Sequence, residues 1–290
     1  MVPLKFIRLR CLHFLVLLLP GLINAGESMH RELEKSVCGI KEPLVFWLWS
    51  SMAGRPDSGR IGDLSNVEDI SFKTVDGRTL RGYKLKAVAS GRDVDHAEGY
   101  LLVTQGNAML ADQILRSFTR FASAGFDVYI FDYRGYGRSE GKRRLKAMVN
   151  DYGGIIDLLN SRPYSTGLFY AMSFGGIVLL NALEERRADL IVIDSTPSRL
   201  SGYGCPEAYD PVSNLPQQAP NFLFVAGGQD SVVTPDMSRE LIQTAQERGA
   251  VVLKDPEMAH PFMDRNPLVS DRRMEAIAEF LLRRTAAGEE

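Results

Sequence analysis

From Val67 onward, short apolar runs alternate with amphipathic stretches. Val67 to Thr74 and Thr79 to Ala87 flank the pair Asp76-Gly77, which predicts a β-hairpin. Six further short runs, Tyr100 to Thr104, Asp127 to Asp132, Gly167 to Ala171, Leu190 to Ile193, Asn221 to Ala226 and Ala250 to Leu253, read as strands. Between and after them, Ala111 to Ala124, Leu145 to Leu159, Phe174 to Glu185, Asp236 to Arg248 and Asp271 to Arg283 read as helices. Strands without polar alternation, separated by helices, predict an α/β fold with a mostly parallel central sheet covered on both faces. The opening hairpin adds an antiparallel edge. In such sheets the functional site lies at the carboxyl ends of the strands, so the residues just beyond each run matter most.

The first 66 residues do not follow this alternation. Lys5, Arg8 and Arg10 precede an apolar run from Cys11 to Leu19, then Pro20-Gly21 and the small residue Ala25. This is the pattern of a signal peptide over residues 1–25, and it implies export to a periplasmic or extracellular space. An uncleaved N-terminal membrane anchor is the alternative. Residues 26–66 form a preamble. Within it Pro43 to Ala53 is strongly apolar and carries Trp47 and Trp49. It reads as a segment packed on the following domain or, alternatively, as a patch that contacts a membrane surface. Gly54 to Gly62 has the composition of a loop. Residues 67–290 make up the main domain.

Composition narrows the function classes. The 290 residues are 45% hydrophobic and 24% charged with a net charge of −2, which suits a globular domain and gives no footprint for nucleic acid. Removal of residues 1–25 leaves Cys38 and Cys205. Neither lies in a metal-binding spacing. In an oxidising compartment they can pair, tying the preamble to a loop far along the chain; two packed free thiols are the alternative.

The segment Gly167-Leu-Phe-Tyr-Ala-Met-Ser173-Phe-Gly-Gly176 runs from a strand through a sharp turn into a helix. Small residues two before and two after Ser173 allow a strained turn that presents a nucleophile, written here A-x-S-x-G-G. The partners of such a serine follow in the order acid, histidine. His260 is the only histidine after Ser173, and it lies in a loop beyond the run at Ala250. Two carboxylates could orient it. Asp230 follows a Gly-Gly turn at residues 227–228, and Asp194 ends the preceding run; the Gly-Gly turn favours Asp230. An oxyanion hole would take the backbone N–H of Phe174 and a donor from the 105–109 loop, with Asn107 the favoured residue.

These segments resemble the α/β-hydrolase superfamily, in the serine branch of esterases, lipases and peptidases with a minimal cap. The resemblance covers about Val67 to Arg283. It rests on Gln105-Gly-Asn-Ala, Asp132-Tyr-Arg-Gly-Tyr-Gly-Arg-Ser139, the Ser173 elbow, Gly227-Gly-Gln-Asp230 and His260. Gln105 stands where the family often has histidine, and Ala171 where glycine is commoner. The resemblance implies two-step acyl transfer on a small-molecule ester or thioester, with no metal or organic cofactor. A cap confined to residues 199–220 and broken by glycine and proline predicts an open site. The alternatives are an aminopeptidase or amidase of the same fold, with Glu207 or Asp210 holding an amine, and a non-catalytic exported binding module.

Overall fold

The computed structural model describes residues 28–89, 92–93 and 96–283. The signal-like segment 1–25 lies outside them. Among the described residues no helix is long and apolar enough to cross a membrane.

Eight strands form one sheet: β1 (Val67–Lys73), β2 (Thr79–Leu85), β3 (Gly99–Thr104), β4 (Phe126–Phe131), β5 (Thr166–Met172), β6 (Leu190–Asp194), β7 (Phe222–Gly227) and β8 (Val251–Asp255). Their spatial order is β1-β2-β4-β3-β5-β6-β7-β8. The β1–β2 and β2–β4 pairs are antiparallel and all later neighbours are parallel. This is the mostly parallel sheet with an antiparallel leading hairpin that the sequence predicts. The hairpin turn needs a positive φ, which Gly77 supplies at +82°. The parallel register brings the strand ends level: Thr104 pairs with Ala171, Met172 with Asp194, and Asp194 with Val225.

Besides a helical stretch at 28–33, the helices are α1 (Glu42–Met52), a broken α2 (Ala111–Ile114, Leu115–Phe118 and Thr119–Ser123), α3 (Leu145–Asn160), α4 (Phe174–Leu183), α5 (Pro235–Glu247) and α6 (Pro267–Leu281). Side chains alternate across each strand and feed a core on either face. Tyr100, Leu102, Phe169 and Ile191 pack toward α1, α3, α4 and α5. Leu101, Val103, Leu168 and Val192 pack toward α2 and α6. Two boundaries differ from the sequence reading. The middle piece of α2 is a 3₁₀ turn, whose three-residue repeat puts Leu115 and Phe118 on the same side, both fully buried. The closing helix begins at Pro267 rather than Asp271, because the Asn266 side chain caps it by accepting the Leu268 N–H.

The preamble is fixed to this domain at many places, three of them near its start. Glu42 is buried; its Oε2 accepts the backbone N–H groups of Val37 and Cys38, and its Oε1 accepts that of Leu145 at the start of α3. Cys38 and Cys205 are joined by a disulfide, so the paired alternative holds. His30 and Glu34 meet the hairpin turn at Asp76, inside a cage of Arg78, Arg134 and Lys142. Burial pushes the Asp76 carboxyl up, but bonds from Arg134, Thr74 and His30 outweigh that and hold it well below its ordinary value.

Candidate functional site

Ser173 sits between β5 and α4 with φ +54° and ψ −121°, a backbone state that costs an L-residue about 1–3 kcal/mol. The surroundings enforce it. The Ser173 N–H donates to the Asp194 carbonyl at 2.8 Å, and the Thr196 hydroxyl donates to the Ser173 carbonyl at 3.1 Å. A Cβ on Gly175 would lie 2.0 Å from the Thr104 carbonyl oxygen, so only glycine lets α4 start this close to β3. Gly176 is held as tightly against Thr196. Ala171 is fully buried at the other small position, where a methyl group is accommodated.

His260 and Asp230 come together at the same end of the sheet. The His260 Nδ1–H donates to Asp230 Oδ2 at 2.8 Å, which leaves Nε2 as the acceptor of the ring. The other carboxylate oxygen, Oδ1, accepts the backbone N–H groups of Val232 and Val233, each at 2.8 Å. Burial raises the Asp230 carboxyl, but His260 and these two backbone donors more than compensate, so it stays below its ordinary value and is ionised at neutral pH. The Gly-Gly turn acts as the sequence suggests: a Cβ on Gly227 would lie 2.3 Å from the Met258 carbonyl, so the Asp230 and His260 loops pack backbone against backbone. Among the described residues no hydrogen bond joins Ser173 Oγ to His260. Such bonds commonly shorten only when substrate is bound.

Asp194 has a different place. Its Oδ1 accepts from Arg273 Nη1 at 2.6 Å and its Oδ2 from the Tyr170 hydroxyl at 3.0 Å. It touches the site through its backbone, not its side chain.

Of the two sequence-proposed oxyanion donors, Phe174 opens α4, so its N–H has no acceptor within the helix. Asn107 lies in the facing loop, where Gly106 stands close to Ser173: a Cβ there would be 3.7 Å from that of Ser173. The Asn107 side-chain oxygen is already engaged, accepting from the Ala108 N–H and the Tyr136 hydroxyl. The groups of Asn107 that can donate are its backbone N–H and its side-chain NH₂, the latter oriented by these two bonds to the oxygen. The site is also more covered than the short cap implies. The cap consists of three single 3₁₀ turns, Ser201–Tyr203, Glu207–Tyr209 and Pro211–Asn214. Cover comes instead from α1, whose Phe46 and Trp49 rings lie 5.3 and 6.3 Å from that of Phe174. Ser173 and His260 are both buried.

A family model described as serine aminopeptidase, S33, matches residues 95–200, about a third of the chain. The uncharacterized protein YfhR of Escherichia coli K12 is 26% identical over 249 residues, covering 78% of this chain and 85% of YfhR. A thiohydrolase of Eupenicillium brefeldianum is 30% identical over 140 residues, 45% of this chain and 44% of that protein. Among solved structures, XC6422 of Xanthomonas campestris, an α/β serine hydrolase without a lid, superposes with a TM-score of 0.60 at 18% identity, over 76% of this chain and 97% of the other. The chain has the α/β-hydrolase fold. Its strained serine stands at the strand–turn–helix junction where this fold presents a nucleophile.

Four residues support the site: three lie in the 132–139 stretch on which the resemblance rests, and the fourth, Arg273, had no place in the sequence reading. Asp132 Oδ1 accepts the Ala111 N–H at 2.8 Å, fixing the far end of the Asn107 loop; burial pushes its carboxyl up to about 6. The Tyr133 hydroxyl donates to the Gln105 carbonyl at 2.6 Å, and the Tyr136 hydroxyl to Asn107 as above. The stretch 132–139 is thus a clamp on the candidate oxyanion loop. Arg273 is the fourth. Almost fully buried, it bonds Asp194, whose backbone holds Ser173, and donates to the carbonyl of Ala259, next to His260. Its Nε lies 3.3 Å from Asp264, which in turn accepts the Ala259 N–H. One guanidinium therefore connects the backbones on which Ser173 and His260 stand. A signal for it existed: Val269, Arg273, Ile277 and Leu281 share one helix face, so an arginine lies in the middle of an apolar stripe.

Proposed function

We propose that this α/β-hydrolase cleaves carboxylic ester or thioester bonds through an acyl-enzyme on Ser173. His260 takes the serine proton at Nε2 as Oγ attacks the carbonyl carbon, and returns it to the leaving alcohol or thiol. A water molecule activated by the same nitrogen then releases the acid. Asp230 holds the imidazole with Nδ1 protonated and offsets the charge it gains. The backbone N–H of Phe174 and an N–H group of Asn107 receive the oxyanion. The observation that carries the reading is the 2.8 Å bond from His260 Nδ1 to a carboxylate fixed by two backbone donors, at the sheet end where the strained Ser173 stands.

The thiohydrolase similarity favours an acyl substrate with a good leaving group. The match to the S33 model favours a peptidase, which needs a group to hold a free amine. Asp210 does not serve as that group. It is buried, and its oxygens are taken by Leu200 and Ser201 N–H groups, the Ser201 hydroxyl and Arg199. Glu207 is exposed in the cap and remains as the one carboxylate named for that role. Turnover of p-nitrophenyl butyrate, a short acyl thioester and an aminoacyl p-nitroanilide, each compared with Ser173→Ala, separates the readings. Ester or thioester hydrolysis that needs Ser173 is expected; anilide hydrolysis alone would make the protein an aminopeptidase. The export and the cleavage of residues 1–25 are proposed on the sequence pattern alone.

A further inference from the structure

We propose that the outer face of α1 is a docking surface for a lipid bilayer that contains anionic lipids. The sequence Glu42-Pro-Leu-Val-Phe-Trp-Leu-Trp-Ser-Ser-Met52 is apolar on almost every side. Such a helix normally lies buried within a core or in contact with lipid. Here only one side is covered, by Phe46 and Trp49 against Phe174. On the other, Leu44, Leu48 and Met52 recur at four-residue steps with Trp47 beside them, and Ile40 leads into the helix; each is at least half exposed. Tyr203 is also exposed, and the Cys38–Cys205 disulfide ties its turn to the start of this segment.

The cations nearest the helix stand at its two ends, while the exposed acids Asp57 and Glu207 lie further out. Lys41 and Arg55 stand exposed at the two ends of the helix, and the only acid between them, Glu42, is buried in its backbone clasp. Apolar side chains flanked by cations suit the interface of a negatively charged membrane. At 11 residues the helix is about 16 Å long, too short to span a bilayer that takes about 20 residues, so it would lie in the surface. On the proposed reading of residues 1–25 as a signal peptide or an anchor, the chain would meet a membrane during export. The attachments of the preamble on either side hold the helix in place, so little chain ordering opposes docking. The inner face rests on Phe174, which sets the bilayer about one helix diameter, roughly 10 Å, from the residue after Ser173. The surface does not depend on the proposed reaction, and Ser173→Ala protein serves equally well in the test.

Trp47 and Trp49 are the only tryptophans in the chain, so intrinsic fluorescence reports from α1 alone. The full chain is mixed with vesicles of phosphatidylcholine and phosphatidylglycerol whose tails are brominated. The expected result is quenching of the tryptophan emission, most of it lost in Trp47→Phe. Leu44→Glu with Leu48→Glu should lower partitioning about tenfold or more, and pure phosphatidylcholine should bind more weakly than the anionic mixture. Absence of binding overturns the proposal. So does binding without quenching, which would assign the contact to another segment. Light scattering that shows a dimer dispersed by the double glutamate variant would identify the partner as a second copy of the chain and would also overturn it.

Discussion

The exchange of Asp230 for asparagine tests the site where its geometry is most specific. Both backbone donors, Val232 and Val233, converge on Oδ1, while His260 Nδ1 meets Oδ2. In Asp230→Asn the two N–H groups therefore select the amide oxygen for the first position. The amide NH₂ is left facing His260. It donates to Nδ1, forces the ring proton onto Nε2, and removes the acceptor that Ser173 needs. A wrong tautomer in an otherwise intact site is worth about 10⁴ in kcat, or about 5.5 kcal/mol of barrier. Asp194→Asn makes the opposite comparison. Its carboxylate neutralises the buried Arg273, so the loss falls on stability, about 3–5 kcal/mol, with a much smaller fall in turnover. Hydrolysis of p-nitrophenyl butyrate gives kcat/KM for both variants, and thermal unfolding gives their stabilities. The reasoning is refuted if Asp230→Asn stays within tenfold of the parent, or if Asp194→Asn is the more damaged in kcat/KM.

Three other outcomes follow from particular contacts. Arg273→Met leaves Asp194 and Asp264 without their shared cation and frees the Ala259 carbonyl; a stability loss of about 3–5 kcal/mol is expected in denaturant titration, with a fall in kcat that exceeds any change in KM. Asp132 is pushed from 3.8 up to about 6 by burial, so the folded state holds its proton more tightly than the unfolded chain does, and stability falls as pH rises from about 4 to 6. Asp132→Asn should remove up to about 3 kcal/mol of that decline, read as the variant-minus-parent difference in unfolding free energy across the window, since the new amide can still accept from Ala111. Cys38→Ala with Cys205→Ala opens a loop of 167 residues in sequence separation, and should lower stability by at most about 5 kcal/mol in urea titration while a soluble ester is still hydrolysed.

The parts that were legible in sequence are those with a local physical cause. The buried parallel strands read as short apolar runs because both faces are covered, and the hairpin read from its turn; all eight positions survive in the structure. Ser173 showed itself through the backbone crowding that demands glycine at 175 and a small residue at 171. His260 followed from chain order. What stayed hidden depends on contacts distant in sequence. The helix at 42–52 has no polar face to give it a period, so it read only as an apolar segment. Its role as cover, which makes the site less open than the cap length implies, needs the Phe46–Phe174 contact. The Cys38–Cys205 pairing is a matter of geometry, for which the compartment argument gave permission but no distance. Between Asp230 and Asp194, the turn at Gly227-Gly228 pointed to the carboxylate that bonds His260, while the partner that occupies Asp194 lay unnoticed in the apolar stripe of α6.

Covalent trapping of the serine is the most direct test of the central claim. A fluorophosphonate reacts only with a hydroxyl whose proton is drawn off by a neighbouring base and whose developing charge is met by an oxyanion hole. Intact-mass and peptide mass spectrometry of the labelled full chain should show one adduct, on Ser173. That adduct should disappear in Ser173→Ala and form far more slowly in Asp230→Asn. A chain that remains unlabelled while folded, or an adduct placed on any other serine, would contradict the assignment of Ser173 as the nucleophile.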